Sequence, residues 1–167
     1  MAEVTVNGID DLRGLIGEAI GPGDWIDVPQ ERIDSFADVS GDHQWIHVDA
    51  ARAAEESPFG GTIAHGDLTL ALINGVRAEL IDQRGIAMAI NYGWEKVRYP
   101  APVPAGSRVR IGAEVISVDD RGEGWWHVVT RFTVEREGGE KPVCVADSAV
   151  RLLVSPEPGS GAAAGAG

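Results

Sequence analysis

Positive charge is scarce in this chain: two lysines, Lys96 and Lys141, belong to 14 basic residues set against 26 acidic ones, for a formal net charge of -12. Such a balance repels the phosphates of nucleic acids and anionic membranes, which a binding protein must neutralise, so neither is an expected partner. Cysteine is scarcer still. Cys144 alone excludes a disulfide or a cysteine metal site within one chain, and its setting in Val143-Cys-Val-Ala146 marks a buried, inert thiol. No apolar run reaches membrane-spanning length, and the N-terminal MAEVTVNGIDDLRG carries acids where a signal peptide carries Lys or Arg, so a soluble, cytoplasmic protein is expected. Internal repeats, a glycine-rich phosphate loop and a helical spacing of metal ligands are also missing, so no metal and no cofactor is expected.

What is present is an ordinary globular composition, with 44% hydrophobic and 24% charged residues over 167 positions, enough for one domain with a sizeable core. That domain is expected over residues 1–154. The closing SPEPGSGAAAGAG from Ser155 has nothing large to bury and reads as a disordered tail, 155–167. Apolar residues at Ile9, Leu12, Leu15, Ile16, Ala19 and Ile20 predict a helix over 7–20, and Trp25–Val28 a strand. Gln30–Val39 reads as a helix broken by Ser40-Gly41, and Asp49 as the cap of a helix over 50–56.

From Gly66 the run GDLTLALINGVRAELID is apolar on most faces for about four turns and predicts a largely buried central helix. Four runs rich in Val, Ile, Trp and Tyr follow, over 86–99, 107–118, 124–136 and 143–154; they read as an antiparallel meander, with hairpin turns at 119–122 and 137–140. The expected class is α+β: a curved antiparallel sheet wrapped around one long helix.

Chemistry concentrates in Ser40-Gly-Asp-His-Gln-Trp-Ile-His47, which lies between two helices. Asp42 and His47 stand five positions apart, close enough in a loop to act on one water; a cap and a turn would use the same residues. Downstream, Gly61-Thr-Ile-Ala-His-Gly66 leads into the buried helix, whose first N–H groups lack helical acceptors and point outward. An acid–base pair with such donors is the minimum set for adding water across, or removing it to form, a double bond conjugated to a carbonyl.

The run Phe36-Ala-Asp-Val-Ser-Gly-Asp42-His-Gln-Trp-Ile-His47-Val-Asp-Ala-Ala-Arg-Ala53 resembles the hydratase signature of the MaoC-like, (R)-specific enoyl-CoA hydratases. That signature has an aromatic residue, then Ser-Gly-Asp, a short spacer, a His and a small residue six positions on. Ile63-Ala-His-Gly66 and the later Lys96-Val-Arg-Tyr-Pro-Ala-Pro-Val-Pro-Ala-Gly106 extend the resemblance over roughly residues 5–154. It implies a hot-dog fold, commonly dimeric, with Asp42 and His47 as the catalytic dyad and the Gly66 N–H near a thioester carbonyl. It also implies trans-2-enoyl-CoA or acyl-carrier-protein substrates, hydrated to (3R)-3-hydroxyacyl thioesters. Many members have Asn-Pro at Gln44-Trp45, and the His-Gln-Trp form here is similar to the nodulation protein N subgroup. Asp67 is a further departure, either a first-turn acid or a pocket residue.

Around this centre, Ser40, Gln44, Trp45, His65, Asp67 and Asn74 are candidate pocket residues, and Lys96, Arg98, Arg108 and Arg110 candidate contacts for coenzyme A phosphates. Each has a structural alternative: His65 can anchor its loop, Asn74 satisfy a neighbour, and the four cations line a solvated strand face. The tryptophans Trp94, Trp125 and Trp126 are expected in the core or a subunit interface. Two rival functions share the fold expectation, an acyl-CoA thioesterase and a non-catalytic acyl-thioester-binding protein.

Overall fold

The computed structural model describes residues 3–154, so the expected tail lies outside the described residues. The chain opens with a strand β1 (Val4–Asn7), a short helix α1 (Ile9–Gly14) and two brief strands β2 (Ala19–Ile20) and β3 (Ile26–Val28). The single helix expected over 7–20 is therefore broken. Gly17 sits at φ 83°, which turns the chain out of helix, and Ile20 is buried by pairing with Ala113.

Helices α2 (Gln30–Ser40), α3 (Trp45–Val48) and α4 (Ala50–Glu56) follow. α2 stops at Gly41, whose N–H reaches the carbonyl of Ala37, and Asp49 caps α4 by accepting from the Arg52 N–H at 3.0 Å, both where the sequence places them. The long helix α5 (Gly66–Leu80) runs directly into β4 (Ile81–Arg84), which pairs in parallel with β1. The helix thus ends two residues earlier than expected, because Ile81 and Asp82 pair with Val4 and Thr5.

The remaining strands, β5 (Ile86–Arg98), β6 (Ser107–Asp120), β7 (Trp125–Arg136) and β8 (Cys144–Val154), form the main sheet in the order β2-β6-β7-β8-β5, with β3 also on β6. All four runs are strands and their pairings are antiparallel, but they are not a simple meander. β5 pairs with β8 rather than with β6, because the proline-rich 99–106 segment carries the chain from the β5 edge past β8 and β7 to β6. The second hairpin connection covers the expected 137–140, whereas the first turns at 121–124, two residues later than expected, because Asp119 and Asp120 still pair with His127 and Trp126; Asp120 accepts from the Gly122 N–H at 2.8 Å.

α5 packs on one face of this sheet. Leu68, Ile73 and Leu80 enter a core with Val109, Ile111 and Val134, and Trp94 and Trp126 pack on its margin. Burial is one-sided: Ala71, Asn74, Gly75, Ala78 and Glu79 are exposed, so the helix expected to be covered on most faces is covered on one. Cys144 is buried in this core, and burial pushes its thiol up to about 11, which keeps it an inert thiol at neutral pH.

Candidate active site

The segment between α2 and α5 places its polar groups through backbone bonds. The Asp42 carboxylate accepts from the Gln44 N–H at 3.2 Å, a local turn that keeps the exposed side chain at the start of α3. His47, the third residue of α3, is 7% exposed and donates from Nδ1 to the Ile63 carbonyl at 2.7 Å. That bond fixes the tautomer, since a carbonyl only accepts, and leaves the Nε2 lone pair free. Burial holds the imidazole below its ordinary pKa, with the neighbouring His65 adding to the effect, so His47 is neutral at pH 7.

His65 is equally buried and stacks on His47 with ring centroids 3.8 Å apart. Its Nε2 donates to the backbone carbonyl of Asp42 at 2.9 Å, tying the loop to the entrance of α5. Asp42, His47 and His65 offer donor atoms that all lie within 4.8 Å of one another. Such a set can hold a water, and its two imidazoles and carboxylate are also chemically able to ligate a divalent transition ion.

Gly66 opens α5, and its N–H has no acceptor among the described residues. Its lack of a side chain is required by packing: a Cβ there would stand 2.8 Å from the ring of Tyr99. His47, Gly66 and Tyr99 share a cavity of about 300 Å³, walled also by Phe59, Ile63 and Val103. Tyr99 escapes the sequence-based selection of site residues because nothing local distinguishes it; only the crossing of 99–106 over the helix start brings its ring onto Gly66. Its hydroxyl donates to Asp67 at 2.7 Å, and burial with this bond raises the phenol well above its usual pKa.

The other candidates separate. Asp67 is exposed and answers Tyr99 rather than capping α5. Ser40 turns back to the Phe36 carbonyl at 2.7 Å, and Trp45 lies under the guanidinium of Arg52 at 4.3 Å. Asn74 lines a different cavity, farther along α5. Arg108 and Arg110 are bound to Glu137 and Glu135 across the β6–β7 hairpin and flank Trp25, whereas Lys96 and Arg98 line a separate hollow with Arg131 and Asp147.

A family model for the MaoC-like domain matches residues 11–136 of this chain, and the chain belongs to that dehydratase family, with its hot-dog fold. It is 50% identical over 149 residues to 3-hydroxyacyl-thioester dehydratase Z of Mycobacterium tuberculosis strain H37Rv, covering 89% of this chain and 98% of the relative. Nodulation protein N of Rhizobium leguminosarum bv. viciae is 43% identical over 138 residues, 82% of this chain and 86% of that one. Among solved structures, the unliganded R-hydratase PhaJ1 of Pseudomonas aeruginosa aligns with a TM-score of 0.62 and 26% identity over 85% of this chain and 83% of that one. The chain is accordingly an enzyme of the dehydratase class. Among the described residues no helix is long and apolar enough to cross a membrane.

Proposed function

We propose that this protein hydrates trans-2-enoyl-CoA thioesters to (3R)-3-hydroxyacyl-CoA, and catalyses the reverse dehydration, with Asp42 and His47 holding one water between them. The observation that carries this is that His47, whose Nδ1 is held by the Ile63 carbonyl so that Nε2 is left as acceptor, shares a cavity with the unbonded Gly66 N–H and has a donor atom within 4.8 Å of the Asp42 carboxylate. The thioester carbonyl accepts from Gly66, which makes the β-carbon electrophilic and stabilises the negative charge that develops on oxygen. The water oxygen then bonds the β-carbon, its proton passes to the dyad, and the dyad returns a proton to the α-carbon. Atoms balance and the pair ends as it began. The step needs no metal or cofactor, because the substrate supplies the electrophile.

His65 serves the pair by orienting the Asp42 backbone and stacking on His47, and Asp67 serves it by holding Tyr99 over Gly66. Of the four cations expected to meet coenzyme A phosphates, Lys96 and Arg98 fit the role better, because Arg108 and Arg110 already have carboxylate partners.

The active unit in this reading is a homodimer. β5 is an edge strand of thirteen residues whose large side chains Met88, Ile90 and Tyr92 are 49%, 44% and 64% exposed. An open apolar edge of that length is a pairing surface, and Ala71, Gly75 and Ala78 of α5 are likewise left uncovered in the single chain. Ile90→Glu should halve the mass measured by sedimentation; a monomeric wild type would remove the dimer from this reading.

Crotonyl-CoA tests the reaction. Loss of enoyl absorbance without release of free thiol is expected, abolished in Asp42→Asn. Thiol release without hydration would assign the fold to hydrolysis instead, and binding without either would assign it to acyl-thioester capture.

A further inference from the structure

His47 and His65, 7% and 3% exposed, stack with their planes 27° from parallel, and each gives one ring N–H to a backbone carbonyl. His47 donates from Nδ1 to Ile63 at 2.7 Å, and His65 from Nε2 to Asp42 at 2.9 Å. In a neutral imidazole the second nitrogen then carries a lone pair, which makes His47 Nε2 and His65 Nδ1 both acceptors. His65 Nδ1 is shut off from solvent and has no hydrogen-bond partner among the described residues, a rare condition for a buried acceptor. Holding the loop uses His65 Nε2 and stacking uses the ring face, so neither gives this nitrogen a role.

An imidazole whose N–H is held by a carbonyl is the arrangement that orients a metal-ligating histidine, because it fixes the tautomer and raises the basicity of the opposite nitrogen. Asp42 adds an exposed carboxylate, whose only hydrogen bond among the described residues is the local one from the Gln44 N–H at 3.2 Å. One donor atom from each of Asp42, His47 and His65 lies within 4.8 Å of the others. The chain has 26 acidic residues, yet no other set of three His, Cys, Asp or Glu side chains among the described residues forms such a group.

Ligand atoms on a tetrahedral ion with bonds of about 2.0 Å stand about 3.3 Å apart, so the set must close by about 1.5 Å at its widest. The exposed Asp42 side chain is free to make that movement while the two rings stay pinned. Two imidazole nitrogens with one carboxylate favour zinc and its transition-metal neighbours over calcium and magnesium, which take oxygen shells. The formal charge of -12 on the chain draws cations towards the site.

We infer that Asp42, His47 and His65 form a reversible site for a divalent transition ion of the zinc class, and that the bound ion switches the enzyme off. The ion takes the His47 lone pair and the Asp42 carboxylate, the two groups that hold the reacting water, so ion and productive water exclude each other. The binding half stands on the three side chains alone; the inhibitory half rests on the hydratase reading above.

The full chain, first dialysed against a chelator, is titrated with zinc chloride by calorimetry and assayed with crotonyl-CoA over the same zinc range. One ion per chain is expected, with hydration falling as the site fills and returning when the chelator is added back; magnesium at equal concentration should leave the rate as it was. His65→Gln is the decisive variant, because the glutamine Nε2 keeps a donor for the Asp42 carbonyl while the Nδ1 lone pair is gone. Zinc affinity should fall at least about tenfold in it, and the zinc concentration that halves its own metal-free rate should rise by a similar factor. His43→Ala removes the nearby exposed imidazole that meets Asp38 at 3.0 Å and should leave zinc affinity as in the wild type.

Equal zinc affinity in wild type and His65→Gln, loss of affinity in His43→Ala, or no binding to the wild type overturns the site. A rate that rises with zinc overturns the inhibition. Should His65→Gln fail to fold, the ring 15N signals of the wild type decide: zinc shifts both His47 Nε2 and His65 Nδ1, or the site is wrong. Absent hydration of crotonyl-CoA by the metal-free chain, with His65-dependent zinc binding intact, would remove the hydratase reading and its inhibition and keep the ion site. Hydration unaffected by zinc would do the reverse.

Discussion

The two cavities along α5 solve the same problem, polar groups inside a mostly apolar fold, in opposite ways. At the N-terminal end the two imidazoles are anchored through backbone, His47 by the Ile63 carbonyl and His65 by the Asp42 carbonyl, with Asp42 itself exposed and burial favouring the neutral form of His47. About three turns farther on, Arg77 carries a full charge that only Ser148 meets within the single chain. A site that moves protons requires groups whose charge can change at little cost, whereas a guanidinium keeps its charge. A group that can lose its charge and a group that cannot thus stand at the two ends of one helix.

The sharpest way to break that contrast is at the dyad. Asp42→Asn keeps size and exposure but removes the carboxylate, so kcat/KM for crotonyl-CoA should fall by on the order of a thousandfold or more while the thermal midpoint stays within a few degrees. Intact turnover would reduce Asp42 to a turn residue.

Gly66→Ala should be the next largest. The added Cβ at 2.8 Å from the Tyr99 ring must displace either the helix start or the ring, a strain of about 1–3 kcal/mol, and should lower kcat/KM along with stability. The double variant with Tyr99→Ala relieves the clash and should recover the stability lost to Gly66→Ala. No recovery would mean that the glycine serves the backbone and not the packing.

The pH profile sharpens the comparison further. His47 has a folded-state pKa below its ordinary 6.5, because burial disfavours the charged ring. Its neutral form therefore contributes stability fully above 6.5, and the contribution is lost as the pH falls through the lowered value. The acid limb of kcat/KM should accordingly break below 6.5, and His47→Gln should remove that component of acid sensitivity from the melting curve. A limb centred above 6.5 would contradict a neutral buried imidazole.

The smallest effect is expected at the rim. Tyr99→Phe removes one exposed hydrogen bond to Asp67, worth about 1 kcal/mol or less, and should change kcat/KM only several-fold. A loss as large as that of Asp42→Asn would move the phenol into the chemistry.

Residues along the chain announced much of this. Alternation of Val, Ile and Thr marks β6 and β7, Gly41 and Asp49 mark helix ends, and Ser-Gly-Asp with a His five positions past the acid marks the candidate site segment, because each signal is local to a few consecutive residues. The helix expected over 7–20 is cut to Ile9–Gly14 because Ala19 and Ile20 pair with Glu114 and Ala113 of β6, and a pairing partner so distant in sequence leaves no trace in a local pattern. For the same reason Asn74, two turns of helix from Gly66, is close to the His47 cavity in sequence and lines a different hollow in space.

Sequence alone therefore determined the class of fold, the position of the candidate pair Asp42 and His47 and the acidic balance of the chain, since composition, periodicity and short-range spacing encode these. The tertiary structure decided the rest. The crossing of residues 99–106 put Tyr99 against Gly66, the placing of β8 between β7 and β5 put Ser148 rather than a carboxylate beside Arg77, and the one-sided cover of α5 left a second face open. Those outcomes depend on which distant strands meet and on what charge each face of a strand presents, and only the folded chain brings Arg131 to Asp147 and Arg77 to Ser148.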